Sequence, residues 1–178
     1  MAVEHLSLPE LAWLRKVIAE RALTRGEYVL AGGARSDYYI DKFRLFSDPT
    51  VLRRIGRLFT PIVAEVNPDL IGGTELGGVV VATAVSALSG LPMLAVRKKP
   101  KAYGAFANEY VEGPYREGQH VLLLEDVVTN GRDLLSAAAR LRELGLRVTP
   151  YALISRGLAP VRAMIQFSLP SDDPKIDN

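Results

Sequence analysis

The sequence predicts an α/β fold: a central, mainly parallel sheet flanked by helices, with a small N-terminal element capping it. Three observations predict this. From Asp69 onward, short apolar runs alternate with helical patterns, the order that βαβ units produce. The residues before about position 45 break that rhythm and form the cap. The chain has 178 residues, 48% of them hydrophobic and 24% charged, which suits one soluble domain with a sizeable core.

In chain order, Ser7-Leu8-Pro9-Glu10 reads as a capping box with an early proline. The helix it opens runs to about Leu23, with Leu11, Leu14, Val17 and Ile18 on one face. Gly26 ends that region. Tyr28 to Ala31 and Asp37 to Asp41 read as two short strands joined by the turn from Gly32 to Ser36. A second helix starts at Ser47-Asp48-Pro49 and stops at Asn67-Pro68. Asp69 to Gly73 is a strand entering a glycine-bounded turn, and Gly78 to Leu88 is a small-residue helix ended by Gly90. Pro92 to Arg97 is the next strand, residues 98–108 are a basic loop, and Glu109 to Val111 is a short strand. Gly118 starts a long apolar strand, Gly145 caps the helix after it, and Arg147 to Ile154 is the last clear strand. The tail from Ser171 is polar and expected to fray.

The composition excludes several function classes. A net charge of +2 calls for neither a nucleic acid nor a membrane as partner. No apolar run reaches the roughly 18 residues of a spanning helix. Met1 to Leu6 lacks the basic start and apolar core of a signal peptide, so the cytoplasm is the expected location. With no cysteine, disulfides, thiolate catalysis and zinc–thiolate sites are excluded. His5 and His120 are far apart and read as surface or strand-edge residues rather than metal ligands.

The densest chemistry lies in Val121-Leu-Leu-Leu-Glu125-Asp126-Val-Val-Thr129-Asn130-Gly131-Arg132-Asp133 and the amphipathic segment after it. An apolar strand ends in two adjacent carboxylates, which can accept hydrogen bonds from vicinal hydroxyls. The following turn and helix N-terminus offer backbone N–H groups and a positive dipole end to a phosphate. Such ligands bind beyond the carboxyl ends of parallel strands. The turn Gly72-Gly73-Thr74-Glu75-Leu76-Gly77-Gly78 admits two readings, a tight packing turn or a second anion cradle. Arg97-Lys98-Lys99-Pro100-Lys101-Ala102-Tyr103-Gly104 is either a solvated loop or a cationic flap for a polyphosphate. Ser36-Asp37-Tyr38-Tyr39-Ile40-Asp41 places tandem tyrosines that read as core plus surface, or as a wall for a planar base. Arg156, at the carboxyl end of the last strand, is a surface charge or a bidentate carboxylate partner.

In this order, from about Leu23 to Arg156, these segments resemble the orotate phosphoribosyltransferases. The phosphoribose motif is common to all type I phosphoribosyltransferases, and the tyrosine segment, the basic loop and Glu112-Gly113 are similar to the orotate branch. The resemblance implies a type I phosphoribosyltransferase fold over residues 1–178, with residues up to about 45 forming a hood over the base site. It implies Mg²⁺-assisted transfer of phosphoribose from 5-phosphoribosyl 1-pyrophosphate to orotate, giving orotidine 5′-monophosphate and pyrophosphate. By position, Glu125 and Asp126 would hold the ribose hydroxyls, and Lys101 would act from the mobile loop. Thr129, Asn130, Gly131, Arg132 and Asp133 would bind the 5′-phosphate. Thr74, Glu75 and Leu76 would face the pyrophosphate, with Arg97 and Lys98. Tyr38, Tyr39 and Arg156 would line the orotate pocket. No side chain is expected to ligate the metal directly. A homodimer with shared active sites follows. The chain departs from the commonest family pattern at Arg132 and Asp133, where the phosphate turn gains a carboxylate, and at Tyr103, where a loop histidine is common. A purine-base phosphoribosyltransferase and a non-catalytic binder of phosphoribosyl pyrophosphate are the alternatives.

Overall fold

The computed structural model describes residues 7–30, 33, 35–100, 102, 110–157 and 159–168. Lys101, Tyr103, His5 and the tail from Ser171 lie outside the described residues.

The sheet is built from apolar runs too dense to face water. Strands β3 (Leu70–Thr74), β4 (Met93–Val96), β5 (Val111–Glu112), β6 (His120–Val128), β7 (Arg147–Ser155) and β8 (Arg162–Gln166) lie in the order β5-β4-β3-β6-β7-β8. All neighbours are parallel except the edge pair β4–β5. Side chains alternate across the pleat: Leu122 and Leu124 of β6 join one core, Val121 and Leu123 the other. The first core holds the buried faces of α1 (Leu8–Val17), α3 (Pro49–Leu58) and α5 (Glu75–Ser89). The second holds Leu134, Ala137, Ala138 and Leu141 of α6 (Arg132–Glu143). Each fully buried Leu or Ile contributes about 2 kcal/mol, so both faces of β6 are committed to packing and only its end is free for chemistry.

The N-terminal hood is an antiparallel hairpin of β1 (Leu23–Val29) and β2 (Arg35–Ile40), and Tyr38 and Ile40 reach into the first core. The capping box of Ser7 and Glu10 forms as expected, and Leu14, Val17 and Ile18 are buried.

Four sequence expectations are corrected. β1 begins at Leu23 rather than Tyr28, because Gly26 does not end the region: it sits in the strand at an irregularity between Arg25 and Tyr28, with φ 153°. The single helix expected from Pro49 is two, α3 and α4 (Thr60–Val66), because Pro61 has no N–H to continue the ladder past Phe59. A short helix α2 (Phe43–Phe46) precedes them. Finally, β7 is not the last strand; β8 pairs parallel to it from Tyr151 onward. Pro150 is tolerated inside β7 because β8 begins pairing only after it. Among the described residues no helix is long and apolar enough to cross a membrane.

Candidate active site

The ends of β3 and β6 converge, and glycine makes that possible. A Cβ on Gly73 would lie 2.6 Å from the Gly78 carbonyl oxygen, and one on Gly78 would lie 2.6 Å from that of Leu124. A Cβ on Gly77 would overlap the Asp126 carboxylate. The packing reading of this turn is therefore correct, and the same turn also lines the cleft with Glu75, Leu76 and Gly77. Glu75 opens α5 at φ 50°, a left-handed conformation that costs a non-glycine residue about 1 kcal/mol and clusters at functional sites. Its carboxylate accepts the backbone N–H of Lys98.

β6 delivers its two carboxyl groups to the floor of the cleft, Glu125 8% exposed and Asp126 3%. The Thr74 hydroxyl donates to Glu125 and lies 3.3 Å from the Leu124 carbonyl oxygen. Burial, then the hydrogen bond and charge of Asp126, push the Glu125 carboxyl up to about 8. Asp126 Oδ1 accepts the N–H of Val127 at 2.8 Å, and Oδ2 lies 3.0 Å from Lys42 Nζ. Burial by itself would lower the Lys42 ammonium, but the charge and hydrogen bonding of Asp126 outweigh it and hold it above its ordinary value. Glu125 thus holds its proton to a higher pH than an ordinary carboxyl, while Asp126 faces the Lys42 ammonium.

The turn from β6 into α6 is open. Gly131 sits at φ 74°, Asn130 Oδ1 accepts the Arg132 N–H at 3.1 Å, and the Gly131 carbonyl accepts the Leu135 N–H at 2.9 Å to start the helix. Arg132 and Asp133 are exposed at the mouth. Asp133 pairs with Lys98 Nζ at 2.7 Å, a hydrogen bond that raises the Lys98 ammonium.

Together these groups enclose a cleft of about 590 Å³, within the range of sites for small ligands. It brings together Glu75, Leu76, Lys98, Glu125, Asp126, Thr129, Asn130, Gly131, Arg132 and Asp133 from the sequence-derived set. Others lie off its wall. The Thr74 side chain is locked onto Glu125, and Arg97 pairs with Glu112 at 3.4 Å. Tyr38 and Tyr39 point to opposite faces of β2, one in the core beside Phe167, the other 40% exposed against Tyr28. Arg156 stacks 4.0 Å from the Tyr38 ring centroid, and its Nη2 donates to Ser36 Oγ at 2.7 Å and to the Tyr38 carbonyl at 3.0 Å. It ties hood to sheet, with its Nε buried and unpaired. Lys42 and Phe43 also line the cleft but were not singled out from the sequence. No local pattern marks Lys42, whose partner lies in a strand far along the chain.

No protein-family model matches the chain. It is 40% identical over 141 residues to the orotate phosphoribosyltransferase of Thermococcus gammatolerans, covering 78% of this chain and 74% of that one. It is 36% identical over 156 residues to that of Corynebacterium glutamicum (strain R), covering 86% and 84%. Among solved structures, Mycobacterium tuberculosis orotate phosphoribosyltransferase in complex with 5-phospho-α-D-ribosyl 1-diphosphate superposes with a TM-score of 0.69 at 26% identity, covering 89% of this chain and 96% of that one. A cleft at the end of a parallel sheet, on a chain with these relatives, leads to one conclusion: the chain belongs to the orotate phosphoribosyltransferase family, pentosyltransferases of pyrimidine biosynthesis.

Proposed function

We propose that this orotate phosphoribosyltransferase joins orotate N1 to C1 of 5-phosphoribosyl 1-pyrophosphate by placement and electrostatics, without a side-chain nucleophile. The observation that carries the reading is the buried Glu125–Asp126 pair in one cleft with an open helix N-terminus. A ribose 5-phosphate laid across them puts its hydroxyls on the carboxyl groups and its phosphate on the backbone N–H groups from Thr129 to Asp133. As the C1–O bond breaks, its electron pair leaves with pyrophosphate and positive charge gathers at C1; N1 bonds to C1 as its proton passes to the departing pyrophosphate. Asp126, set beside C1 on the cleft floor, stabilises that charge. Glu125, which accepts from Thr74, hydrogen-bonds a ribose hydroxyl. Glu75 and Leu76 border the pyrophosphate end, where Lys98 neutralises leaving-group charge with Arg97 and Lys101.

Mg²⁺ fits this site as a passenger of the substrate. The cleft supplies hard carboxylate oxygens and lysines rather than nitrogen or sulfur ligands, and Mg²⁺ favours phosphate oxygens and water. Bound there, it would neutralise charge on the departing pyrophosphate. The orotate end would lie toward the hood, near Tyr38, Tyr39 and Arg156. We further read the chain as one domain, cytoplasmic, and a homodimer in which the basic loop serves the partner's site.

Orotate consumption followed by ultraviolet absorbance tests the reaction. Orotate should disappear only when phosphoribosyl pyrophosphate and Mg²⁺ are both present. Persistence of orotate while a purine base is consumed, or binding without any turnover, would overturn this reading. For the dimer, mixing the impaired Lys101→Ala and Asp126→Asn chains should restore part of the activity, and no rescue counts against a shared site.

A further inference from the structure

The hood supplies a cleft lysine that the proposed mechanism leaves without a role, and its geometry is specific. Lys42 lies between β2 and α2, on the hood, yet its Nζ reaches Asp126 Oδ2 at 3.0 Å across the cleft floor. Its side chain is 27% exposed and the Asp126 side chain 5%. Asp126 Oδ1 is already held by Val127 N–H, and Oδ2 is buried with no hydrogen bond from any other group. Gly77 closes the space behind that carboxylate, because even a Cβ there would overlap it. The same Oδ2 that Gly77 backs is the one that Lys42 meets.

We propose that Lys42 is a positioning residue: by pairing with Oδ2 it fixes the rotamer of Asp126 and so makes the placement of the hood a condition for a competent ribose site. This rests on the assignment of Asp126 to the ribose. The cleft's remaining charges agree with it. Lys98 pairs with Asp133, whereas Lys42 pairs with Asp126. Lys42 acts through the carboxylate, whereas a lysine that touched the polyanion itself would act equally well without one.

A double-mutant cycle separates these roles. Calorimetric binding of phosphoribosyl pyrophosphate and steady-state kcat are measured for wild type, Lys42→Met, Asp126→Asn and the double variant. Lys42→Met should weaken binding about 10-fold and lower kcat about 30-fold, with orotate KM within about twofold. In the Asp126→Asn background the same change should cost less than about twofold in either quantity. Lys42→Arg, which restores a cation and donor, should recover both to within about fivefold of wild type. An equal loss in both backgrounds would overturn the proposal, since Lys42 would then act on the ligand itself. So would an unaffected Lys42→Met, or a Lys42→Arg no better than Met with an unchanged melting temperature. The binding arm does not depend on orotate, so a wild type that binds phosphoribosyl pyrophosphate without consuming orotate would sink the family reaction and still decide the role of Lys42.

Discussion

The two turns that line the cleft follow opposite plans. The β3–α5 turn is tightly packed at its glycines, with Glu75 and Leu76 exposed to the cleft: substitution at Gly73, Gly77 or Gly78 collides with backbone, neighbouring side chains or the Asp126 carboxylate. The β6–α6 turn is open: Arg132 and Asp133 are exposed, and a Cβ on Gly131 would meet Ala159 at 3.3 Å, close but yielding. The packed turn sets the position of the carboxyl pair, while the open turn offers groups to the ligand. Damage to the first should spread into the chemistry; damage to the second should stay in affinity.

Gly77→Ala is the sharpest way to break this contrast. The new methyl overlaps the Asp126 carboxylate, and overpacking a tight site costs about 1–3 kcal/mol even after relaxation. Turnover should fall about 1000-fold, because the carboxylate that must yield is the one proposed to stabilise charge at C1. Steady-state kinetics with a thermal melt checks this, and near wild-type kcat would show that the turn is softer than its packing implies. Asp126→Asn comes next. It keeps the shape and removes the charge, so kcat should fall about 100-fold while the fold survives.

Much of this architecture was legible in the sequence because it is written in local patterns. The alternation after Asp69, the capping box at Ser7 and the acidic end of the Val121 strand each need only a few adjacent residues. What the sequence hid depends on distance in the chain. Lys42 meets Asp126 only after the hood has packed, and the Thr74 hydroxyl is engaged by Glu125, which the fold brings beside it from 51 residues away. Tandem tyrosines could be read two ways until the pleat of β2 sent one in and one out. The break at Pro61 was visible, but an uninterrupted hydrophobic face on either side concealed it. β8 was missed because it follows β7 without an intervening helix, so the βαβ rhythm gave no cue.

A third test compares the two carboxyl groups within the packed region. The folded protein holds Glu125 near 8, against 4.5 for the ordinary side chain. Between those values the folded state keeps a proton that the unfolded state has released. Stability contributed by the neutral carboxyl is therefore present in full at low pH and is lost as pH rises from about 4.5 to about 8, levelling off above. Melting temperatures of Glu125→Gln, which cannot ionise, should lack that decline and exceed wild type above pH 8. Parallel curves for the two proteins would mean that Glu125 is ionised in the fold.

The open turn should answer more gently. Gly131→Ala strains a residue at φ 74° by about 1 kcal/mol and presses on Ala159, so KM for phosphoribosyl pyrophosphate should rise about fivefold with kcat little changed. A kcat loss as large as that of Gly77→Ala would erase the distinction between the turns.

Asp133→Ser should have the smallest effect, and its sign is the informative part. Asp133 carries negative charge at the helix N-terminus that would receive a phosphate, which repels the ligand directly. It also engages Lys98 at 2.7 Å, withholding a cation from the pyrophosphate end. The pair is exposed on both sides, so it is worth about 0–1 kcal/mol to the fold and its loss should not move the melting temperature. Serine removes the repulsion, frees Lys98 and keeps a hydroxyl for the phosphate. Affinity for phosphoribosyl pyrophosphate should therefore improve about threefold, and the gain should shrink as salt screens the exposed charges. A loss of affinity would mean that Asp133 works for the ligand by holding Lys98 where the pyrophosphate needs it, and the open turn would then share the positioning role of the packed one.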